Sequence, residues 1–246
     1  MPQEILGVVP ARYASSRFPG KALALIAGKT MLQHVWERAS GARTLTRLMI
    51  ATDDERILLA ARSFGATVRM TRANHASGTD RTAEVAATDT AGIIVNIQGD
   101  EPLIDPEAID RAVTGLLESG DAPMGTLKKR IDDPRELHDQ NVVKVVTDLG
   151  GNAIYFSRSA IPCARSGEAV HYKHIGLYVY RKAFLLGYSN LPVGPLEETE
   201  KLEQLRALEN GFKIRVVETG YESLGVDTPE DLERVSALLE EKLAAR

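Results

Sequence analysis

Ile5-Leu-Gly-Val-Val-Pro10-Ala-Arg-Tyr-Ala-Ser-Ser-Arg-Phe-Pro-Gly-Lys21 begins as a short apolar run and turns cationic within a few residues. Ile5–Val9 reads as a buried strand that ends at Pro10. The loop after it gathers Arg12, Arg17 and Lys21 with Ser15, Ser16 and Gly20. Arginine offers a planar fork to phosphate oxygens and lysine a compact point charge, and small residues let the backbone approach. A solvated surface loop would carry the same residues. Ligands of open α/β sheets, however, bind beyond the carboxyl ends of the strands, and that is where this loop falls.

Outward from this stretch, short apolar runs alternate with amphipathic ones. Met31–Ala39 has helical spacing, Leu48–Ala51 is a second strand, and Thr52-Asp53-Asp54 caps a helix that Gly65 stops. Thr67–Met70, a helix from Thr79 to about Ala87, the strand Ile93–Gln98 and a helix opened by Pro106 follow. This alternation implies parallel βαβ units with both faces of the sheet covered. The second half is different. Val142–Thr147, Ala153–Phe156 and Lys173–Tyr180 are β-rich, with Gly150-Gly151 as a hairpin-like turn, and read as a mixed or antiparallel patch suited to self-association. Leu196–Asn210 reads as one helix stopped by Gly211, Lys213–Val217 as a strand, and Thr228-Pro229-Glu230 as the start of the last helix. No repeat, low-complexity tract or flexible linker divides the chain, so a single domain over 1–246 is expected.

The 246 residues carry 30 Lys+Arg against 34 Asp+Glu, a net charge of −4 that argues against a general nucleic-acid binder. One cysteine, Cys163, excludes an intrachain disulfide and any cysteine-based metal cage. No apolar run approaches the roughly 20 residues needed to span a bilayer, and the N-terminus lacks a signal-peptide pattern. A cytoplasmic protein without membrane insertion is expected. Gly28-Lys29-Thr30 imitates the end of a P-loop, but Leu23 stands where that motif needs glycine, so a helix start is the better reading. His171 and His174, three apart near a strand, would point to opposite faces and make a poor metal pair.

Asn96-Ile-Gln-Gly-Asp-Glu-Pro102 ends the fourth strand and sets Asp100 at the same crevice as the cationic loop. Magnesium takes hard oxygens, often one or two carboxylates plus substrate phosphates. Asp227, in Gly225-Val-Asp-Thr-Pro-Glu-Asp231, is a second candidate, although it or Thr228 could merely cap the last helix.

Pro10–Lys21, Ser77-Gly-Thr-Asp-Arg81, Asn96–Pro102, Asn141-Val-Val-Lys144, Tyr155-Phe-Ser-Arg158, Lys173-His-Ile-Gly176, Leu202-Glu-Gln-Leu-Arg206 and Gly225–Asp231 together resemble the CMP-Kdo synthetases, the 3-deoxy-manno-octulosonate cytidylyltransferases. Each motif alone is weak. The ordered set, from Ile5 to about Val235, is specific. The resemblance implies an α/β, Rossmann-like nucleotidyltransferase fold, a mostly parallel sheet flanked by helices with a smaller β-rich dimerisation portion at about 122–180. It also implies Mg²⁺ dependence and a homodimer.

Matched position by position, Arg12, Ser15, Arg17 and Lys21 resemble the family's triphosphate loop, and Arg72, Ser77, Gly78 and Gln98 its cytidine surroundings. Asp100 and Asp227 resemble its magnesium carboxylates. Arg158, His174, Tyr178, Glu203 and Gln204 match the sugar-acid side, the arginine and histidine suited to a carboxylate, with Glu203 and Gln204 adjacent on one helix. The connection Cys163–Tyr172 is shorter than the family's, which bears on lid or interface contacts and not on the nucleotide site. The implied reaction moves a cytidylyl group from CTP to Kdo for lipopolysaccharide biosynthesis, with Lys21, Arg12, Asp100 and Asp227 as its catalytic set. Transfer to 8-amino Kdo or a nonulosonic acid is the alternative within the class. A CTP-binding protein without turnover is the alternative outside it, which the joint presence of Lys21, Asp100 and Asp227 disfavours.

Overall fold

The computed structural model describes residues 3–14 and 18–244, so Ser15 and Arg17 of the cationic loop lie outside the described residues. In chain order the elements are β1 (Ile5–Ala11), a 3-10 turn (Lys21–Leu23), β2 (Leu25–Ile26), β3 (Lys29–Thr30), α1 (Met31–Ala39), β4 (Arg47–Thr52), α2 (Glu55–Ser63), β5 (Val68–Met70), α3 (Gly78–Ala87), β6 (Ile93–Asn96) and α4 (Pro106–Glu118). There follow β7 (Met124–Arg130), α5 (Pro134–His138), β8 (Lys144–Thr147), β9 (Ala153–Ser157), β10 (Tyr172–Arg181), α6 (Lys182–Tyr188), α7 (Pro195–Glu200), α8 (Leu205–Glu209), β11 (Ile214–Glu218) and α9 (Pro229–Ala244). Two compact units emerge: Met1–Asp110 with Glu222–Arg246, and Arg111–Tyr221.

The first unit is a parallel sheet in the order β6-β1-β4-β5, with Leu6 beside both Ile94 and Arg47. Its central strands are apolar throughout because both faces are covered: Leu6, Val8, Val9, Ile93, Ile94 and Val95 are all fully buried. Pro10 lies inside β1, one residue beyond the expected strand end. It is tolerated because pairing with β6 stops at Val8, so the missing N–H leaves no gap on that side. Gly28-Lys29-Thr30 belongs to a β2–β3 hairpin, and the Thr30 side chain then accepts from Gln33 N at 3.2 Å to cap α1. That gives the segment a structural duty and no phosphate loop. Ile26, Met31, Leu103, Val226, Val235 and Leu239 form one cluster, which fastens the C-terminal helix to this unit.

The second unit carries the antiparallel character expected of it. β10 runs antiparallel to β7, β8 and β9 form a hairpin, and Lys173 pairs with Lys144 to link β8 to β10, while β11 lies parallel to β7. Gly151 turns the hairpin with φ +78°. Strand β7 and the helices α5 and α6 have no counterpart in the sequence reading.

One expected element is corrected. Leu196–Asn210 is not a continuous helix: α7 ends at Glu200, Lys201 takes φ +53°, and α8 begins at Leu205. Glu203 and Gln204 therefore lie in the break and not side by side on a helix. Tertiary bonds explain it. The Glu200 carbonyl accepts from Arg158 Nε at 2.8 Å, so it is spent on β9's end and not on a further helical turn. The Glu200 carboxylate accepts from Ser157 Oγ at 2.6 Å and Arg158 N at 2.9 Å. Across the break, Arg206 grips Glu197 with two bonds of 2.5 and 2.8 Å.

Candidate active site

In the first unit a cleft of about 270 Å³ opens at the carboxyl ends of the parallel strands, lined by Arg12, Lys21, Ser77, Gly78, Gln98, Asp100 and Asp227 among others. Three distant parts of the chain meet there for local reasons. After β6, Gly99 passes so close to β1 that a Cβ would come 2.7 Å from the Pro10 carbonyl oxygen; glycine alone allows that approach. The next residue, Asp100, accepts through its carbonyl from Val226 N at 2.9 Å, which draws the following Asp227 alongside. Thr228 and Asp231 cap α9 reciprocally, Thr228 Oγ1 accepting from Asp231 N and the Asp231 carboxylate from Thr228 N. Asp227 is thus not the capping residue, and its carboxylate faces Lys21.

Lys21 Nζ donates to Asp100 Oδ2 at 2.7 Å, to the Val226 carbonyl at 3.0 Å and to Asp227 Oδ1 at 3.1 Å. The two carboxylate oxygens are therefore closer together than the sum of their distances to Nζ. Burial pushes the Lys21 ammonium toward losing its proton, but the two carboxylates outweigh that and hold its pKa above the ordinary lysine value. Among the described residues no group of three or more His, Cys, Asp or Glu is arranged around a possible metal ion. Two half-open carboxylates beside a phosphate-sized cleft fit a magnesium ion that takes its remaining oxygens from phosphates and water.

On the opposite wall, Ser77 caps α3 in a capping box with Asp80, which aims the helix N-terminus, Gly78 included, at the cleft. Arg72 is not among the lining residues. It is largely exposed, its Nε 3.1 Å from Glu84 Oε2. The same carboxylate holds His75, which does line the cleft and which the sequence reading missed, as it missed Arg81. Burial raises Glu84, and the bonds from His75 and Arg72 more than reverse it, leaving its carboxyl below the usual range. Arg81 is buried, bonded to Thr71 Oγ1 and at 3.0 Å to Asp53 Oδ2. A buried arginine closing the quoted motif Ser77-Gly-Thr-Asp-Arg81 was the available signal.

The sugar-side candidates all lie in the second unit. His174 and Tyr178 share a face of β10, their ring centroids 5.4 Å apart, with Phe156 edge-on to His174 at 5.0 Å. Burial pushes the His174 pKa down to about 3, which favours the neutral ring. Burial, with Tyr188 and Glu203 nearby, pushes the Tyr178 hydroxyl well up. Tyr188 Oη donates to the Glu203 carbonyl at 2.7 Å, and Gln204 is buried beside it. Arg158 gives Nε to Glu200 O and Nη1 to Gln140 O, both at 2.8 Å, so its fork is engaged by main chain. Lys144, from the quoted Asn141-Val-Val-Lys144, is fully buried and ties Asp139 O and Val142 O at 2.9 and 2.6 Å.

A parallel sheet whose strand ends carry a cation between two carboxylates, facing a helix N-terminus, is how a nucleotidyltransferase prepares for a triphosphate. Residues 6–214 match the family model described as Cytidylyltransferase, and the chain belongs to that family. A 3-deoxy-manno-octulosonate cytidylyltransferase of Solibacter usitatus is 70% identical, aligned over 97% of this chain and 95% of that one. Its counterpart in Geobacter sulfurreducens is 57% identical over 94% and 97% of the respective chains. The solved structure of a CMP:2-keto-3-deoxy-manno-octonic acid synthetase complexed with CTP matches with TM-score 0.94 and 43% identity, over 97% of this chain and 99% of that one. Within the cytidylyltransferases, this chain is a member of the 3-deoxy-manno-octulosonate family.

Proposed function

We propose that the protein transfers the cytidylyl group of CTP to the anomeric hydroxyl of Kdo, giving CMP-Kdo and pyrophosphate. The observation that carries this reading is the three-way contact of Lys21 with Asp100 and Asp227 inside the strand-end cleft, in a chain 70% identical to a protein named for that reaction. The family match over 6–214 runs through both compact units, which supports treating them as one nucleotidyltransferase domain.

Attack at the α-phosphorus needs positioning and charge neutralisation more than covalent help. Arg12 and Lys21 hold the departing pyrophosphate, joined by Ser15 and Arg17 on the strength of the resemblance. Ser77, Gly78 and Gln98 hold the nucleoside, with the helix N-terminus of α3 favouring negative charge nearby. Asp100 and Asp227 are the residues that would hold magnesium; the bound ion supplies charge neutralisation and a lowered pKa for the attacking hydroxyl. In the second unit His174, Tyr178, Glu203 and Gln204 read the sugar acid, and Arg158 adds positive charge near them.

Exposed Leu149, Ile154 and Val170 support a homodimer built through about 122–180, since a symmetric pair would cover them. A mass from light scattering at micromolar concentration corresponding to one chain would refute it. Among the described residues no helix is long and apolar enough to cross a membrane. We place the reaction in the cytoplasm, where CTP is made. Pyrophosphate release measured with CTP alone and with CTP plus Kdo tests the whole reading: release that requires Kdo is expected, and Kdo-independent or absent release overturns it.

A further inference from the structure

Thr126 is completely buried on β7, and three groups converge on its hydroxyl. Its Oγ1 lies 3.0 Å from the Ile175 carbonyl oxygen, 2.9 Å from the Leu177 carbonyl oxygen and 2.9 Å from His174 Nε2. The arrangement follows from a slip in register between β7 and β10, between Ile175 and Val179, where carbonyls that a regular ladder would use turn to one side chain.

A threonine hydroxyl has one proton and two lone pairs, whereas a carbonyl oxygen can only accept. The proton therefore goes to Ile175 or Leu177, and a lone pair faces the imidazole. His174 Nε2 carries a hydrogen and donates it to Thr126. The other tautomer would set three acceptors around one proton and leave buried lone pairs in mutual repulsion, a costly arrangement away from water. Because the ring is neutral, a hydrogen on Nε2 leaves Nδ1 as an acceptor. An acceptor takes a hydrogen from a hydroxyl; it has nothing to offer a carboxylate.

We propose that Thr126 is a positioning residue that locks His174 in the Nε2–H tautomer, so that the imidazole selects a hydroxyl of the acceptor sugar and not its carboxylate. The proposal rests on the placing of His174 in the sugar-acid site. It names a specificity element on a strand that carries none of the residues matched to the family's site.

The test uses the full-length protein with ring-¹⁵N histidine and compares wild type, Thr126→Val and Thr126→Ser. The five histidines are separated by the signal lost in His174→Gln. Wild type at neutral pH is expected to show His174 neutral and protonated at Nε2. Thr126→Val should shift the ring toward the Nδ1–H form and raise KM for Kdo about tenfold, a change equivalent to about 1.4 kcal/mol, with KM for CTP altered less than about twofold. Thr126→Ser, which keeps the hydroxyl, should restore both readouts. A wild-type ring that is charged or protonated only at Nδ1 overturns the proposal. So does a valine variant with unchanged tautomer, or one whose KM rises equally for both substrates. Should Thr126→Val fail to fold, the wild-type and serine spectra still decide. Absence of Kdo-dependent turnover in wild type would refute the functional reading instead, and the tautomer measurement would stand apart from it.

Discussion

Replacing Lys21 with alanine removes an ammonium that Asp100 and Asp227 share, at 2.7 and 3.1 Å. The lysine side chain is 16% exposed and the carboxylates 32% and 48%, so the pairs are only partly shielded from water. At about 0.2–1 kcal/mol for each such pair, with repulsion between the exposed carboxylates added, the variant should lose about 1–2 kcal/mol at neutral pH. For a chain of this length that corresponds to a fall of roughly 2–8 °C in Tm. The pH dependence has a definite sign. Because the folded-state pKa of Lys21 is raised, its contribution is complete below the ordinary lysine value and disappears only as pH rises through the higher folded value. The deficit of the variant should therefore be present across the neutral range. Magnesium should raise the Tm of the variant more than that of wild type, since a divalent cation can take the place of the missing charge. Turnover should drop about 10²- to 10³-fold, the usual effect of losing one preorganised charge at a reacting phosphate. Calorimetric melts from pH 4 to 8 with and without magnesium, beside a pyrophosphate assay, measure all of this. A variant with wild-type Tm, an unchanged response to magnesium and turnover within a few-fold would refute the reasoning.

Asp100→Asn is nearly isosteric and should fold normally while losing roughly a hundredfold or more in kcat; near-normal turnover of the purified variant would sink the assignment of that carboxylate. Asp110 accepts from Thr44 Oγ1 at 2.7 Å, Thr44 N at 2.8 Å and Arg43 N at 3.2 Å; burial raises its carboxyl and these bonds lower it by more, so it ends below the ordinary range. Its contribution, about 2 kcal/mol by the measure of Asp110→Ala, should be full above the ordinary Asp value of about 4 and fade as pH falls through the lower folded value, and a variant whose urea midpoint equals that of wild type at pH 7 would contradict this. Kdo should support faster pyrophosphate release than N-acetylneuraminate by about two orders of magnitude or more, because a site built for particular hydroxyls penalises an acid that leaves them unpaired. Equal rates would limit the functional reading to cytidylyl transfer, and a faster 8-amino Kdo would replace the named acceptor.

Much of the first unit was legible because its signals are local. Ile5–Val9 and Ile93–Gln98 are apolar runs that only a doubly covered sheet would bury, and Asp54 announces the helix it caps. The cleft followed from strand ends plus charge. What escaped depended on tertiary partners. Strand β7 ends in Leu-Lys-Lys-Arg, a polar sequence held as a strand by its pairing with β10 and β11 on either side. The break at Lys201 has no glycine or proline to mark it; it is made by Arg158 and Glu200, 42 positions apart. Arg72 and His75 are both polar residues of one loop, both are bonded to Glu84 of α3, and of the two His75 lines the cleft. The edge-on contact of Phe156 with His174 escaped for the same reason, since nothing in the neighbours of His174 along the chain announces it.

The bond from Val226 N to the Asp100 carbonyl has a consequence for the timing of biogenesis. The first unit is split in sequence, Met1–Asp110 being completed only by Glu222–Arg246. On a ribosome adding about 5–20 residues per second, the N-terminal half of the cleft waits for more than a hundred further residues before its second carboxylate exists. A nascent or prematurely terminated product thus carries Lys21 and Asp100 without their third partner. The first unit is thus completed only after Arg111–Tyr221 has been synthesised, so the cleft joins the work of both ends of a long interruption.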